Sequence, residues 1–173
     1  TTDHPVVRVF ATLLAIMAES MGVPAEGSLL EGRYRVGTPL GRGGMGCLLN
    51  AYHLLLKKPV AIKFVHPDRS DVVRRRLFQE ARAAQLLSSE HAVRVFEVGV
   101  HEGAPYIVME RLVGVDLAER LRVAGPLPVP AAVDAILEAC VAVAEAHERG
   151  VIHRDLKPSN LFAARVGERE LVK

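Results

Sequence analysis

The sequence predicts an α+β fold in which strands dominate the first part of the chain and helices dominate the second. Short apolar runs with strand character lie between residues 34 and 110, and the pattern changes after Gly114. A long helical periodicity then runs from Pro130 to Arg149. Of the 173 residues, 50% are hydrophobic and 24% are charged, so the chain can bury a core and is not of the disordered class.

The charge balance and the cysteine content exclude several functional classes. Lys and Arg number 22 against 20 Asp and Glu, and this net charge of +2 gives no broad basic field for nucleic acid. Cys47 and Cys140 lie far apart and no Cys/His run has zinc-ligand spacing, which favours a reduced, cytoplasmic setting. The longest apolar run, Val9 to Ala18, is shorter than the roughly 18 residues that a membrane helix needs. We therefore expect no nucleic-acid partner and no membrane span.

Residues 1–32 are expected to form an N-terminal amphipathic helix and a linker. Apolar residues recur at three- and four-residue spacing from Asp3 to Met21, and a glycine and a proline just beyond them would end the helix. The apolar stripe favours packing on the following domain over binding a partner. Gly, Pro, Ser and Glu then give residues 22–32 the composition of a linker, so we place the start of the main domain near Arg33.

The elements of the main domain follow from periodicity and from glycine and proline breaks. The predicted strands are Tyr34–Leu40, Val60–Val65, Val93–Val100 and Pro105–Glu110, and the predicted helices are Asp71–Ser88, Leu117–Leu121 and Pro130–Arg149. Between the first two strands, the apolar residues from Leu48 to Leu56 have helical spacing, although a pair of strands is also possible. The periodicity alone favours a helix in this segment.

A glycine cluster follows the first predicted strand. Its sequence, Gly41-Arg42-Gly43-Gly44-Met45-Gly46, matches the pattern G-x-G-x-x-G, which serves either a dinucleotide-binding turn or a phosphate-covering hairpin. In both, the missing side chains let backbone N–H groups approach phosphate oxygens. The dinucleotide interpretation has support of its own, because Asp68 lies about 20 residues after the cluster, near a strand end. This stretch of sequence alone supports the dinucleotide-binding turn and the phosphate-covering hairpin equally.

Two later motifs favour the phosphate-covering hairpin. Val60-Ala61-Ile62-Lys63 lies on a predicted strand, and His153-Arg154-Asp155-Leu156-Lys157-Pro158-Ser159-Asn160 fits H-R-D-L-x-x-x-N at every fixed position. With these motifs, the chain from Arg33 to Lys173 resembles the protein kinase family, and within it the bacterial Ser/Thr kinases that are similar to eukaryotic ones. The resemblance implies a two-lobe fold. An antiparallel sheet with helix C would occupy about residues 33–113, and the first part of a helical C-lobe about residues 114–173.

The resemblance also implies ATP and Mg²⁺ as cofactors and a Ser or Thr hydroxyl of a protein substrate as the acceptor. Lys63 would hold the α- and β-phosphates and would form an ion pair with Glu80 on the predicted helix. Asp155 would accept the proton of the substrate hydroxyl or orient that hydroxyl, and Lys157 would neutralise charge on the transferring group. Asn160 would supply an oxygen ligand to Mg²⁺.

The nucleotide-binding residues that the resemblance implies come from both expected lobes. The apolar walls of the adenine site would be Leu40, Leu48, Ala61 and Phe162, with Met109 as the gate to the back pocket. Adenine would bond to the backbone of Glu110 and Leu112, and the ribose hydroxyls would meet Asp116. The glycine cluster and Cys47 after it would cover the phosphates. His153 is expected to be a hydrogen-bonding residue of the core.

The chain departs from the family pattern after Asp155. D-F-G, whose aspartate binds Mg²⁺, and A-P-E are absent, and no aspartate follows Asp155. Glu170 to Lys173 is typical of the strand that leads to D-F-G, so the sequence is expected to stop a few residues before it. We therefore predict that these residues alone are inactive, because phosphate charge would be poorly neutralised. Apolar residues that later helices would cover are then expected to be exposed, namely Ile136, Leu137, Val141 and Val143.

Three hypotheses about function follow from these observations. The first is the N-terminal portion of an ATP-dependent Ser/Thr protein kinase, and the second is a kinase-like module that binds nucleotide or a partner without catalysis. The third is a dinucleotide-binding oxidoreductase domain built on Gly41 to Gly46 and Asp68. It leaves the motif from His153 to Asn160 unexplained, so the kinase hypothesis leads.

Overall fold

The computed structural model of the chain describes residues 22–43, 46–65 and 71–173. The predicted N-terminal helix, Asp3 to Met21, therefore lies outside the described residues. The same holds for three residues of the dinucleotide and glycine-loop interpretations, namely Gly44, Met45 and Asp68.

The chain divides into two compact units. The first unit comprises the described residues up to Phe78 together with Phe96–Arg111, and the second comprises Gln79–Val95 with Leu112–Lys173. Helix α1 (Asp71–Gln85) contributes residues to both units. Each unit has its own sheet and its own buried cluster, and each is described in turn.

The first unit is built on a six-stranded sheet. In chain order its strands are β1 (Leu29–Leu30), β2 (Tyr34–Gly43), β3 (Gly46–His53), β4 (Lys58–Val65), β5 (Val95–His101) and β6 (Ala104–Glu110). Their order across the sheet is β1-β2-β3-β4-β6-β5. The pairings of β1 with β2, β2 with β3, β3 with β4 and β4 with β6 are antiparallel.

One face of this sheet carries the core of the first unit. Successive side chains of a strand point to opposite faces, and along β3 buried residues alternate with more exposed ones. The core cluster contains Val60, Ile62 and Phe64 from β4, with Tyr106 and Val108 from β6 and Leu49 from β3. Burying one such large apolar side chain stabilises a fold by about 1.5–3 kcal/mol. This face therefore fixes the register of the central strands.

The segment after the glycine cluster is a strand, so the helix that its periodicity favours is wrong. Residue by residue, β3 pairs with β2 on one side and with β4 on the other. The hydrogen bonds of these two ladders satisfy the backbone N–H and C=O groups of β3. Buried and exposed side chains then alternate along β3, as the pleat of a strand requires. The helical spacing arises because Leu55 and Leu56 belong to the turn before β4, where they are 76% and 60% exposed.

The second unit combines two helices with a small sheet. Helix α2 (Leu117–Ala124) and helix α3 (Val129–Glu148) precede a short 3₁₀ helix (Pro158–Asn160). The sheet has the order β7 (Gly114–Asp116), β8 (Phe162–Val166), β9 (Arg169–Val172). Its core holds mainly small and aliphatic residues, namely Leu117, Ala135, Ala139, Leu161, Ala163 and Val172. Within the described ranges, no helix is long and apolar enough to cross a membrane.

The other predicted elements occur in the structure with shifted ends. Helix α1 ends at Gln85 instead of Ser88, because Leu86 N and Leu87 N bond to Ala83 O and Ala84 O in a final i to i−3 turn. The strand expected near Glu170 is β9. The sequence analysis missed β1, β7 and β8, which are too short for a periodicity of their own.

Most of the apolar residues that were expected to be exposed on the long helix α3 are exposed in the structure. Ile136, Leu137 and Val141 are 54%, 59% and 55% exposed on α3, whereas Val143 is half-buried. Helix α3 therefore packs through its alanine positions and presents larger aliphatic side chains to solvent.

Glu145 on α3 fixes the segment that follows α1. Its carboxylate accepts hydrogen bonds from Ser88 N at 2.9 Å, Ser88 Oγ at 2.7 Å and Ser89 N at 2.8 Å. Arg149 Nη2 donates a further bond at 2.8 Å. Donors to a carboxylate favour its charged form, and those of Ser88 have the largest effect, so the pKa of Glu145 falls from 4.5 to about 2.

We predict that Gly114→Ala destabilises the second unit because β7 approaches β8 too closely for a side chain. A Cβ on Gly114 would lie 1.9 Å from Ala163 O, and the φ of +152° is also unfavourable for other residues. Gly167→Ala is the matched control, since its φ is +62° but no atom lies within 4 Å of the added Cβ. That control should cost about 1–2 kcal/mol and Gly114→Ala at least about 2 kcal/mol more. Urea unfolding followed by circular dichroism measures both, and equal costs would contradict the prediction.

We predict that Glu145 stabilises the protein in a pH-dependent way. Because its pKa is lower in the folded state, its stabilisation is fully present above pH 4.5 and is lost as the pH falls toward about 2. Glu145→Gln should therefore lower the urea midpoint at neutral pH, and the deficit should shrink below pH 4.5. Glu148→Gln, an exposed change on the same helix, is the control. A deficit that stays constant down to pH 3 would contradict this mechanism.

Candidate functional site

The face of the first sheet that lies opposite its core brings several predicted site residues together. Lys63 on β4 stands directly across from Leu48 on β3 and from Ile107 on β6. Ala61, two residues before Lys63, stands across from Met109. Directly opposed residues share a face, as do residues two apart along a strand. The lysine, two predicted wall residues and the predicted gate therefore lie side by side.

Lys63 is a half-buried cation in an apolar neighbourhood. Its neighbours across the ladder, Leu48 and Ile107, have aliphatic side chains. A cation in such surroundings is stable only with an anionic partner or ligand. Glu80, its predicted partner, belongs to the second unit, and the ion pair remains a prediction.

Ile107 and Asn50 belong to this face and were missed by the sequence analysis. Ile107 is two residues before Met109, and that spacing is the signal that could have identified it. Asn50 stands across from Ala61, and its Nδ2 donates to Thr38 Oγ1 at 3.1 Å. Its position follows from the register of β3, which periodicity did not predict.

The glycine cluster forms the end of the β2–β3 hairpin. Gly41 pairs with Leu48, Arg42 with Cys47 and Gly43 with Gly46. A dinucleotide-binding turn leads from a strand into a helix. Here a second strand follows instead, so the dinucleotide interpretation is wrong and the hairpin interpretation agrees with the structure.

The pairing of β3 with β4 restricts the side chains of two residues in this hairpin, Gly46 and Cys47. A Cβ on Gly46 would lie 1.9 Å from Phe64 O, so only glycine allows β3 to start this close to β4. Cys47 stands opposite Phe64, and its side chain lies in the core cluster of the first unit. Only the backbone of Cys47 is therefore available to a bound phosphate.

The remaining nucleotide-site candidates are divided between the two units. In the first unit Leu40 is 42% exposed and Glu110 is half-buried at the end of β6. In the second unit Asp116 and Phe162 stand directly opposite each other on β7 and β8, and Leu112 precedes β7. Asp116 also caps α2, since its Oδ1 accepts a bond from Glu119 N at 2.9 Å.

The loop before β8 brings two predicted catalytic residues and the predicted metal ligand into direct contact. Lys157 Nζ lies 2.8 Å from Asp155 Oδ2. Asn160 Nδ2 donates to Asp155 O at 2.7 Å and to Asp155 Oδ2 at 3.1 Å. The asparagine amide therefore turns its Nδ2 toward the aspartate, which leaves its Oδ1 available as a ligand oxygen.

The backbone of this loop explains how exposed side chains can be held in place. Arg154 has a φ of +62°, and the 3₁₀ helix closes when Asn160 N bonds to Lys157 O at 2.9 Å. The buried Leu161 follows, and its carbonyl oxygen accepts a bond from Leu117 N at 2.8 Å. The loop is thus anchored to the start of α2 at the residue next to Asn160.

Asp155 is held in its charged form. The hydrogen bond from Lys157 lowers its pKa most, and the bond from Asn160 also lowers it. The side chains of Asp155 and Lys157 are 59% and 49% exposed, so a substrate can reach both from solvent. The arrangement offers an ionised acceptor beside a cation, which suits abstraction of a proton next to developing negative charge.

The expectation that His153 belongs to the core is wrong. His153 is exposed, and its Nδ1 accepts a hydrogen bond from Asp155 N at 3.4 Å. The sequence correctly indicates a hydrogen-bonding role, but the site lies at the surface of the second unit instead of in its interior.

The donor set of the loop fits a part of a divalent-cation site. The carboxylate of Asp155 and the amide oxygen of Asn160 are hard oxygen donors of the kind that Mg²⁺ prefers. Among the described residues, no group of three or more His, Cys, Asp or Glu side chains could hold a metal ion. A bound Mg²⁺ would therefore need phosphate oxygens or additional protein ligands.

Comparison with known proteins identifies close relatives of this chain. Residues 34–173 match the protein kinase domain family. The serine/threonine-protein kinase Pkn1 of Myxococcus xanthus is 37% identical over 137 residues, which cover 78% of this chain and 19% of that protein. PknE of Mycobacterium tuberculosis is 38% identical over 135 residues, which cover 77% and 24%. The chain thus spans about a fifth of the length of these relatives.

Solved structures show the same fold. The kinase domain of Mycobacterium tuberculosis PknI superposes with a TM-score of 0.74 at 31% sequence identity, over 87% of this chain and 60% of that one. A double mutant of that domain gives a TM-score of 0.77 at 26% identity, with the same coverage. The predicted α+β, kinase-like fold is thereby confirmed. From its family match over residues 34–173 and its bacterial relatives, we conclude that the chain belongs to the protein kinase family, among the bacterial Ser/Thr kinases that are similar to eukaryotic ones.

Proposed function

We propose that the protein containing this chain transfers the γ-phosphoryl group of ATP to Ser or Thr hydroxyls of protein substrates. The observation that supports this most is the contact of Asp155 with both Lys157 and Asn160 in one loop. The names of the bacterial relatives point to the same reaction. The exposed free thiol of Cys140 further supports a cytoplasmic site of action.

The roles of the loop residues follow from their chemistry. The Asp155 carboxylate accepts the proton of the substrate hydroxyl as the oxygen attacks the γ-phosphorus, and the bond to the β-phosphate oxygen breaks. The ammonium of Lys157 lies within hydrogen-bond distance of this carboxylate, so it both orients Asp155 and offsets negative charge on the group in transfer. Proton acceptance and charge stabilisation are thus combined in one pair of side chains.

The nucleotide is assigned to the residues that the two units present. Lys63 would bind the α- and β-phosphates, and Glu80 would hold that lysine in place. Leu40, Leu48, Ala61 and Phe162 would contact adenine, with backbone bonds to Glu110 and Leu112. Asp116 would accept bonds from the ribose, since Glu119 N occupies only its Oδ1. Lys63, Leu48, Ala61 and Met109 share one sheet face, which supports their part of this assignment.

Mg²⁺ is proposed as the cation that accompanies ATP. Bound to phosphate oxygens, it would neutralise charge on the β- and γ-phosphates. Asn160 would contribute its Oδ1 as one ligand, because its Nδ2 is committed to Asp155. Asp155 would keep Asn160 oriented through the same two hydrogen bonds.

A polypeptide of these 173 residues alone is proposed to be inactive. Asp155 is its last aspartate, so it lacks the D-F-G carboxylate that would complete the metal site. The alternative function is a kinase-like module that binds nucleotide or a partner without catalysis. A phosphate-transfer assay on the full natural protein separates the two, because both would bind nucleotide in a thermal-shift assay with ATP and Mg²⁺ but only the kinase would transfer phosphate.

We predict that Asp155→Asn in the natural protein lowers the rate of phosphate transfer from γ-labelled ATP by about a hundredfold or more, because the proton acceptor is lost. Lys63→Met should have a loss of similar size through misplaced phosphates. Glu168→Gln, in the exposed turn between β8 and β9, is the matched control and should retain activity. Normal transfer by Asp155→Asn would contradict the assignment, and ATP binding without transfer by the unmodified protein would favour the non-catalytic alternative.

We predict that Asn160→Ala raises the free Mg²⁺ concentration needed for half-maximal transfer by roughly tenfold, because one ligand oxygen is lost. Transfer rates measured against free Mg²⁺ at saturating ATP give this value. Ser159→Ala, an exposed neighbour in the same 3₁₀ helix, is the control. An unchanged Mg²⁺ dependence in Asn160→Ala, with a slower rate only, would show that the residue positions Asp155 and binds no metal.

A further inference from the structure

The turn between β3 and β4 presents two adjacent leucines to solvent. This turn comprises residues 54–57, between the paired residues His53 and Lys58. Leu55 and Leu56 are both exposed and lie outside the core cluster of the first unit. Hairpin turns favour glycine, asparagine and aspartate, which suit the turn backbone and its contact with water. Neither turn chemistry nor core packing therefore accounts for the two leucines.

Hydrogen bonds hold the backbone of the β3–β4 turn in place. Leu54 N donates to Arg33 O at 2.9 Å, which ties the turn to the residues that precede β2. Leu56 N donates to His53 Nδ1 at 3.4 Å. The ring of His53 is itself buried, with its centroid 4.8 Å from that of Tyr34. The two exposed leucines are thus presented from an ordered backbone.

The sequence around this turn is basic, although the net charge of the whole chain is only +2. No acidic residue occurs between Glu31 and Asp68, whereas six basic ones do, namely Arg33, Arg35, Arg42, Lys57, Lys58 and Lys63. Lys57 is an exposed residue of the turn itself. Lys58 follows it, and its Nζ lies 3.8 Å from the centre of the Phe96 ring. Two cations therefore lie directly beside the two leucines.

A tyrosine and a further cation lie near the turn on β3 and β2. Tyr52 stands directly opposite Arg35, so their side chains share one face of the sheet, and both residues are exposed. A tyrosine ring with its polar hydroxyl is typical of the boundary between water and a lipid bilayer. Arg33 differs from Arg35, because its Nη2 lies 2.6 Å from Glu97 Oε1 and its charge is balanced.

We propose that the β3–β4 turn docks on an anionic phospholipid surface without crossing it. The two leucines would enter the boundary of the acyl chains, while the ammonium groups of Lys57 and Lys58 would stay among the lipid phosphates. Tyr52 would lie at the level of the headgroups. A nucleic acid would also attract the cations, but it offers no apolar interior for the leucines. The proposal goes beyond phosphate transfer and does not depend on it, because its residues differ from those of the catalytic loop.

The test places an environment-sensitive NBD fluorophore on the turn of the full natural protein. Leu55→Cys is labelled in a background in which the other exposed thiols, including Cys140, are replaced by serine. Leu86→Cys is the matched label position, since Leu86 is also exposed but lies just after α1. Vesicles of phosphatidylcholine alone, or of an equimolar mixture with phosphatidylglycerol, are then added. The local signal reports on this turn even where another part of the protein contacts lipid.

We expect the label at residue 55 to shift its emission to shorter wavelength with the mixed vesicles, and less so at high salt, because exposed charges are screened. Lys57→Glu and Leu56→Asp should each lower the apparent affinity for these vesicles about tenfold, the first through lost attraction and the second through a charge placed in the acyl boundary. Arg82→Glu, an exposed charge reversal on α1, is the control and should leave the affinity unchanged. Asp155→Asn should do the same, so a failure of phosphate transfer and a failure of lipid docking can be told apart. Circular dichroism confirms that each variant is folded.

Three outcomes would overturn the proposal. The first is an emission unchanged by the mixed vesicles, or a shift that Lys57→Glu and Leu56→Asp do not weaken. The second is an equal response to phosphatidylcholine alone or to double-stranded DNA, which would remove the preference for an anionic bilayer. The third is short-wavelength emission before any vesicles are added, since the turn would then be covered by protein. Reversal of that emission on dilution would identify a second copy of this chain as the cover, and its persistence would identify another segment of the same molecule.

Discussion

The pairing of β3 with β4 is the constraint on which the first unit depends. Side chains alternate along each strand, so a shift of register by one residue would exchange the two faces of the sheet. Lys63 would then turn into the cluster that holds Ile62 and Phe64, and an uncompensated cation in that core would be strongly destabilising. The aliphatic core thus holds Lys63, Ala61 and Leu48 on the opposite face, and packing determines where the proposed phosphate-binding residue Lys63 lies.

The second unit positions its site by a different principle. The side chains of its catalytic loop are exposed, so packing holds them only weakly. Hydrogen bonds and an ion pair within the loop hold them in place instead. Leu161 is buried and bonded to Leu117 N, while Asp155, Lys157 and Asn160 are joined to one another. A rigid anchor next to a hydrogen-bonded cluster keeps polar groups in place without removing them from solvent. Such a site can be reached by a protein substrate and still be ordered.

Sequence motifs predicted more of the candidate site correctly than hydrophobic periodicity predicted of the secondary structure around it. The spacing within His153 to Asn160 predicted a group of residues that the structure does bring into contact, because a short loop keeps near neighbours together. The segment after the glycine cluster was harder. Leu48 to Leu56 has the period of a helix, and its strand conformation depends on ladders to residues before and after it. The burial of Cys47 and the position of Ile107 on the same sheet face as Lys63 depend on this long-range strand register. A short stretch of sequence does not contain that information.

The carboxylates of the second unit differ in how far their hydrogen-bonding capacity is used, and this difference separates structural from functional roles. Glu145 accepts bonds from Ser88, Ser89 and Arg149, so it has little capacity left for a ligand. Asp155 has two side-chain partners but remains more than half exposed, so it is both oriented and accessible.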